Sequence, residues 1–381
     1  MKKKIGILVI HGIGEQEPFE TLDAFANTFL KQYLTSVKNK FQQAEIHKKH
    51  ILKKFSDKIE SCVSITTDNT AVPGIDVYEY YWAYMTQREI TFREIWFWLL
   101  AVSRGAKAFY DRHEGTQSGE MNDTLFNKDG EFKNYKYLLK MLSAVGFFQR
   151  LWFLAPANIM KIFSSFGKGI FEPLQRRIVD SFGDVVLYTT IDEKSKYYRI
   201  RQEILSGSFK KMLGLLECGE YDEILLVGHS LGTAIAYDTL ARINKQMNVD
   251  PVLRGKATKI KGLVTFGSPL DKIAFFFDEK INKEKQPVRY AIASQLHGFK
   301  RVNVDTQTLE SGVDECFSHV KWLNFWSKRD FVSGHLDVYR DLSNIEMDFS
   351  KLTTDPIKTH SIYWESEDMY KQIIAEYKLI D

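Results

Sequence analysis

The sequence predicts an α/β protein with a mostly parallel central sheet, helices on both faces of the sheet and a helical insertion. Short apolar runs over residues 5–10, 224–227 and 260–266 suit buried parallel strands, and each run ends in a glycine-containing turn. Segments with helical periodicity separate these runs. This alternation is typical of a parallel sheet that is covered on both faces.

The composition excludes some classes of function. The chain has 381 residues, 44% of them hydrophobic, which allows one large domain with insertions or two smaller domains. A net charge of +3 without a long basic block does not indicate nucleic-acid binding. Cys62, Cys218 and Cys316 show no metal-site or disulfide spacing, so we expect no cofactor, no metal and a reducing compartment. Residues 1–10 lack a cleavage site, so we predict a first strand and a cytoplasmic protein.

The other elements follow in chain order. We predict further strands over residues 62–65, 76–82, 184–188 and 320–326. We predict helices over residues 21–37, 197–217, 233–240 and 365–378. The charged residues 38–58 are interpreted as a solvated helix face, and residues 271–300 as irregular.

One long segment interrupts this pattern. We therefore predict a core made of residues 1–87 and 182–381, and a helical cap made of residues 88–181. The cap carries two strongly apolar clusters, over residues 95–102 and 141–160. Neither cluster supplies a clean run of about twenty apolar residues, the length that a membrane-spanning helix requires.

These apolar clusters leave three interpretations open. The cap contacts a membrane surface, since its aromatic residues lie beside basic ones such as Arg150. Alternatively, both clusters pack onto the core as buried helices. A pair of membrane-spanning helices is the third interpretation, although an arginine in the middle of a helix is costly in lipid. Under the first interpretation, we expect a peripherally membrane-associated protein.

The most informative motif is Gly-His-Ser-Leu-Gly at residues 228–232. A buried strand precedes it and a helix follows it, which is the context of a nucleophile elbow. Gly228 and Gly232 remove side chains that would collide across the sharp turn. The following helix supplies free N–H groups and a partial positive charge behind the serine. The motif therefore predicts that Ser230 is a nucleophile.

A nucleophilic serine needs a histidine base, which in this architecture comes late in the chain. Four histidines follow Ser230. His297 and His319 precede the last predicted strand, and His335 lies on the exit loop of that strand. His360 lies in a predicted loop before the last helix, where the base is expected, so we predict His360.

The histidine in turn needs a carboxylate. Asp330 follows the strand at 322–326 at its carboxyl end, where catalytic loops of open α/β sheets gather. Asp271, after the preceding strand, and Asp337 remain alternatives. We also place His11, Gly12 and His229 along the substrate site, although His229 suits a structural role as well.

Together these motifs resemble lipase-type serine α/β-hydrolases. The specific parts are the elbow at 228–232 and the Gly-Ser-Pro-Leu turn at 267–270, and the resemblance covers residues 1–82 and 183–380. The pattern is most similar to the hydrolase core of DDHD-type intracellular phospholipases and their bacterial relatives. It is less similar to the inositol deacylases of lipid anchors. The metal-binding Asp-Asp-His-Asp signature of the DDHD family is absent, so that family's substrate is not carried over.

The resemblance implies an α/β-hydrolase fold and a set of site residues. Ser230, Asp330 and His360 would form the catalytic triad, and the N–H groups of Ile13 and Leu231 would form the oxyanion hole. The implied activity is metal-independent hydrolysis of a carboxylic ester, with a lipid or a small-molecule ester as substrate. Acyl transfer, or a non-catalytic module that binds lipid or a protein partner, remains an alternative.

Overall fold

A computed structural model describes residues 2–12, 16–42, 44–55, 58–86, 196–271, 286–300, 309–330, 332–353 and 356–380. The strands are β1 (Lys4–Ile10), β2 (Ile46–Phe55), β3 (Lys58–Thr67), β4 (Gly74–Tyr80), β5 (Glu223–His229), β6 (Ile260–Phe266), β7 (Lys321–Trp326) and β8 (Leu342–Glu346). The helices are α1 (Glu20–Lys40), α2 (Lys196–Glu217), α3 (Leu231–Val249), α4 (Pro251–Arg254), α5 (Pro287–His297), α6 (Pro356–Ser361) and α7 (Glu367–Glu376). Short 3-10 turns lie at Ala83–Met85, Ala257–Lys259 and Ile362–Glu365.

These strands form one eight-stranded sheet in the order β2-β3-β4-β1-β5-β6-β7-β8. Strand β1 lies between β4 and β5 and is parallel to both, and the parallel pairing continues through β6, β7 and β8. Only the β2–β3 and β3–β4 pairs among the described strands are antiparallel. The predicted mostly parallel sheet is therefore confirmed.

The register aligns the carboxyl ends of the central strands. Ile10, the last residue of β1, pairs with Tyr80 on one side and with Gly228 on the other. The chain leaves β1 and returns as β4 on one flank and β5 on the other, so a crevice opens beyond these strand ends. Residues that follow β1 and β5 therefore meet at this edge of the sheet.

Helices cover both faces of the sheet, as predicted. Ile5, Ile7 and Val9 of β1 are fully buried in a core that includes residues of α1 and α7. On the opposite face, the hydroxyl of Tyr80 donates to the Ile204 carbonyl of α2 at 2.6 Å. Each strand of the centre is thus apolar on both sides, which explains its continuous hydrophobic run. Within the described part of the chain, no helix is long and apolar enough to cross a membrane.

The prediction of a solvated helix over residues 38–58 is wrong. Only its first residues belong to α1, and Ile46–Phe55 is the edge strand β2. The lysines mislead because an edge strand has one neighbour, which leaves Lys48, Lys49 and Lys54 exposed. Lysines on an edge strand also discourage pairing with another chain. The buried end of β2, Phe55, packs against Tyr78 with ring centroids 5.5 Å apart.

Two further elements differ from the predictions. Part of the stretch predicted to be irregular, residues 271–300, forms helix α5, which begins at Pro287, a residue suited to the first turn of a helix. Strand β8 extends the sheet beyond β7, the last predicted strand. Its residues are either partly buried or exposed, so no apolar run marks it.

Several predictions lie outside the described residues. They are the strand at 184–188, the cap at 88–181 and the division of the chain into core and cap. They stay predictions.

The sheet order predicts that truncating a leucine in a central strand and one in an edge strand lowers the free energy of unfolding by very different amounts. Leu226→Ala in β5, where the side chain is fully buried, should lower the free energy of unfolding by about 2–5 kcal/mol through the cavity left behind. Leu52→Ala in β2, where the side chain is 66% exposed, should change it by less than about 0.5 kcal/mol. Urea denaturation of both variants measures the difference. Equal costs would contradict the central and edge positions of these strands.

Candidate active site

The turn between β5 and α3 holds Ser230 in a strained conformation. Ser230 has φ 52° and ψ −129° and directly precedes helix α3. A positive φ is costly for a residue with a side chain and persists only where its surroundings impose it. Here the N–H of Ser230 donates to the Phe266 carbonyl at 3.1 Å. Its own carbonyl accepts from the N–H and the hydroxyl of Thr233, at 2.9 and 2.7 Å. These bonds from β6 and α3 fix the turn on both sides.

The glycines of the motif are required by close contacts. A Cβ on Gly228 would lie 2.7 Å from the carbonyl oxygen of Gly232. A Cβ on Gly232 would lie 2.4 Å from the carbonyl oxygen of Ile10 at the end of β1. Gly12, in the loop after β1, lies against the serine itself, because a Cβ on Gly12 would be 2.6 Å from the Cβ of Ser230. The end of β1 and the start of α3 therefore meet directly at the serine.

His360 and Asp330 form a hydrogen-bonded pair. His360 Nδ1 lies 2.9 Å from Asp330 Oδ2, and the side chain of Asp330 is fully buried. The other carboxylate oxygen accepts the N–H of Val332 at 2.9 Å. The Tyr363 hydroxyl bonds to Asp330 and lies 3.1 Å from Ser333 Oγ. Burial, and then the charge of Asp330, raise the pKa of Tyr363 well above its usual value, so the phenol remains a neutral donor. Three donors thus orient the carboxylate.

The bond to Asp330 leaves the second ring nitrogen of His360 as a possible proton acceptor. Because Nδ1 donates to a carboxylate, Nε2 is the acceptor nitrogen of the neutral ring. Nε2 is buried and has no hydrogen-bond partner among the described residues, including Ser230. The His360 ring lies against Gly267, whose added Cβ would be 3.1 Å from its Cε1. The N–H of Ser230 donates to the carbonyl of Phe266, the residue before Gly267. Ser230 and His360 therefore both contact the turn that contains Phe266 and Gly267.

The position of His360 corrects one detail. The residue lies within the short helix α6, not in a loop before the last helix. A 3-10 turn, Ile362–Glu365, then connects α6 to α7. Chain order predicted the location of His360, but the helical conformation depends on packing that the sequence does not display.

His229, the neighbour of Ser230, bonds to the backbone of His360. Its Nε2 lies 2.9 Å from the His360 carbonyl oxygen, which can only accept, so Nε2 carries the proton. Burial, and then the nearby His360, lower the pKa of His229 to about 3, so the ring is neutral at ordinary pH. No sequence signal indicated this contact, since it joins residues 131 positions apart.

His11 fixes the loop that follows β1. The backbone N–H of Trp82 donates to His11 Nε2 at 3.0 Å, so Nδ1 carries the proton and donates to the Gly12 carbonyl at 2.7 Å. The Trp82 indole donates to the His11 carbonyl at 3.0 Å, and the two rings stack with centroids 4.9 Å apart. Substrate contact by His11, Gly12 and His229 stays a prediction. Ile13 lies outside the described residues.

The alternative acid, Asp271, is buried beside the loop that follows β7. Its Oδ2 would lie 2.1 Å from a Cβ added to Gly334. The carboxylate that bonds to His360 is that of Asp330.

The three other histidines considered as the base have different surroundings. His335 Nδ1 lies 2.7 Å from Asp337 Oδ1, so these two alternatives pair with each other. His319 is exposed and directly precedes the buried Val320 before β7. His297 is the last residue of α5, and its side chain is not among those described. No group of three or more histidine, cysteine, aspartate or glutamate side chains in the described ranges is arranged to hold a metal ion.

The sheet and the elbow decide the fold. A mostly parallel eight-stranded sheet carries a strained serine between a central strand and a helix, at the switch point of the strand order. The fold is that of the α/β-hydrolases.

Comparisons with known proteins add little evidence on the fold or the function. No protein-family model and no curated protein matches the sequence. Among solved structures, MGS-MChE2, an α/β-hydrolase enzyme from the metagenome of lagoon sediments at Mar Chica, Morocco, is 16% identical, with 45% of this chain and 68% of that chain covered and a TM-score of 0.22. Mouse α/β-hydrolase domain-containing protein 10 is 13% identical, with 44% and 70% covered and a TM-score of 0.20. With such TM-scores, we base the fold on the sheet and the elbow. Neither protein is named as DDHD-type, so that finer resemblance stays a prediction.

The burial of His11 predicts a dependence of stability on pH. Burial lowers the pKa of His11 from 6.5 to about 4, so the unfolded chain binds more protons than the folded chain between these values. The contribution of His11 is therefore complete above about pH 6.5 and is lost as the pH falls towards about 4. His11→Asn, which cannot titrate, should reduce the pH dependence of the free energy of unfolding in that window. Urea denaturation at several pH values measures it, with His47→Asn on the exposed edge strand as control. Unchanged slopes in His11→Asn would refute the prediction.

Proposed function

We propose that this protein is a serine hydrolase that cleaves carboxylic esters through an acyl-enzyme on Ser230. The observation that carries the proposal is the bond between His360 and the buried Asp330, with Nδ1 to Oδ2 at 2.9 Å, together with a serine held at φ 52°. A strained serine, an imidazole and a buried carboxylate are the parts that acyl transfer needs.

The proposed mechanism has two half-reactions, acylation of Ser230 and hydrolysis of the acyl-enzyme. Ser230 Oγ attacks the ester carbonyl carbon while His360 Nε2 takes the hydroxyl proton. His360 then gives that proton to the alkoxide oxygen as the carbon–oxygen bond breaks, which releases the alcohol and leaves the acyl group on Ser230. Water attacks the acyl-enzyme with the same proton transfers and releases the acid. Asp330 holds the imidazole tautomer and stabilises the imidazolium that forms in each step.

Backbone N–H groups would stabilise the negative charge on the carbonyl oxygen. Leu231 is the first residue of α3, and the first N–H groups of a helix have no acceptor within the helix. Its N–H therefore suits one donor of the oxyanion hole, with the helix dipole adding partial positive charge. The second proposed donor is the N–H of Ile13, the residue after Gly12, because Gly12 itself lies against Ser230.

The proposed substrate class is a lipid ester. Aromatic residues make up 14% of the chain, and the predicted cap at 88–181 carries two apolar clusters that could contact acyl chains or a membrane surface. Acyl transfer to an alcohol other than water would use the same acyl-enzyme. A non-catalytic module that binds lipid or a partner is the competing proposal, and the His360–Asp330 pair weighs against it.

Replacing the nucleophile tests the proposal directly. Ser230→Ala should abolish labelling by a fluorophosphonate probe and lower ester turnover by about 10⁴-fold or more, because the acyl-enzyme can no longer form. The matched control is Ser208→Ala, which removes a buried hydroxyl bonded to Thr239 Oγ1 at 2.7 Å in the helix layer. Turnover is measured on a soluble nitrophenyl ester and on a long-chain lipid ester, which also tests the lipid proposal. Activity of Ser230→Ala within tenfold of wild type would contradict the assignment of Ser230 as the nucleophile.

The choice between the two acids has its own test. Asp330→Asn should lower kcat by about 10⁴-fold, because the amide favours the wrong tautomer of His360. Asp271→Asn, a buried substitution of the same shape after the neighbouring strand, should leave kcat within a fewfold of wild type. Steady-state kinetics of both variants on the soluble ester measure this. The reverse result would move the acid to Asp271.

A further inference from the structure

We propose that His229 is a positioning residue, whose side chain holds the backbone of His360 so that the base stays aligned with Ser230. This inference rests on the proposed ester hydrolysis and adds a residue to its machinery. It assigns the second residue of the Gly-His-Ser-Leu-Gly motif a role in the geometry of the base.

The contact joins the nucleophile turn to the base through a single side chain. His229 Nε2–H donates to the carbonyl oxygen of His360 at 2.9 Å, and the two rings lie 4.9 Å apart. Ser230 is the next residue after His229, so any movement of the serine turn is passed on to the segment that carries the base. The bond therefore sets the distance between nucleophile and base from the backbone side.

The ring of His229 occupies a space that two glycines leave open. A Cβ on Gly12 would lie 3.2 Å from its Nδ1, and a Cβ on Gly267 would lie 3.2 Å from its Nε2. Aromatic rings close the other sides, with Phe266 at 5.1 Å and Trp364 at 5.0 Å between centroids. The imidazole is thus packed between the loops after β1 and β6 and cannot swing away from His360.

The base needs such a support because its own helix is short. Helix α6 spans only Pro356–Ser361, and a helix of fewer than two turns is not stable in isolation. Asp330 anchors the ring of His360 at Nδ1, but a bond to a ring nitrogen alone allows the backbone to shift. A second anchor on the His360 carbonyl removes this freedom. Base and acid then keep one geometry before substrate arrives.

The protonation state suits a permanent support. The bond requires a proton on Nε2 of His229, and burial keeps the ring neutral with its pKa at about 3. A charged ring next to His360 would oppose the imidazolium that forms during catalysis. A neutral donor avoids that repulsion.

Two substitutions separate positioning from packing. His229→Gln places an amide donor at the level of Nε2, whereas His229→Leu fills the space without a donor. We expect His229→Leu to lower kcat by about 100-fold with KM within about twofold, since a misplaced base affects the chemical step. His229→Gln should recover at least about tenfold of that loss, because it restores the donor. His335→Leu, outside the proposed machinery, is the control and should keep wild-type kcat.

A spectroscopic signal gives a readout independent of turnover. The proton between His360 Nδ1 and Asp330 should produce a low-field proton resonance in wild type and in His229→Gln. It should broaden or shift in His229→Leu, while His335→Leu leaves it unchanged. Urea denaturation checks that each variant folds. If His229→Leu does not fold, the test uses His229→Gln alone.

The outcomes separate this inference from the proposed function. Wild-type kcat and an unchanged resonance in a folded His229→Leu would overturn the positioning role. A His229→Gln variant whose kcat is no higher than that of His229→Leu would overturn it too. If only His229→Gln folds, a fall of its kcat by about 100-fold would have the same meaning. If the wild-type protein neither labels with fluorophosphonate nor cleaves esters, the proposed function fails. In that case the resonance alone decides whether His229 holds His360.

Discussion

The site depends on one close approach, that of the end of β1 to the start of α3. The Ile10 carbonyl would lie 2.4 Å from any Cβ at Gly232, so the backbones touch with no side chain between them. This contact brings the loop after β1 against the Cβ of Ser230 and leaves the serine at φ 52°. The position of Ser230, the proposed nucleophile, is thus set by backbone packing at the switch point of the sheet.

Buried histidines bind this edge of the sheet together as neutral hydrogen-bonding groups. His11 accepts from Trp82 and donates to Gly12, which ties the segment after β4 to the loop after β1. His229 donates to His360 and ties the elbow to α6. Burial lowers the pKa of His11 and His229 to about 4 and about 3, so both remain neutral donors or acceptors. Neither adds charge to the place where the proposed imidazolium would form.

The sequence revealed those parts of the fold that depend on continuous burial. Strands β1, β5 and β6 are apolar because both faces are covered, and their runs are visible without a structure. Strand β2 was missed because its lysines belong to an exposed edge, and β8 because its residues are only partly buried. The bond from His229 to His360 and the bond from Tyr363 to Asp330 depend on tertiary packing, which no spacing in the sequence encodes.

The two acids show why the sequence left one choice open. Asp271 and Asp330 follow neighbouring parallel strands, β6 and β7, at the same edge of the sheet, so topology permits either. The loops after these strands interlock, because the Gly334 N–H donates to the Ser268 carbonyl at 3.2 Å. That contact brings Gly334 against the Asp271 carboxylate. The N–H of Val332 meanwhile holds Asp330 in the orientation that reaches His360. Which of the two carboxylates reaches His360 is therefore decided by the course of one loop, and neither strand order nor motif reveals that course.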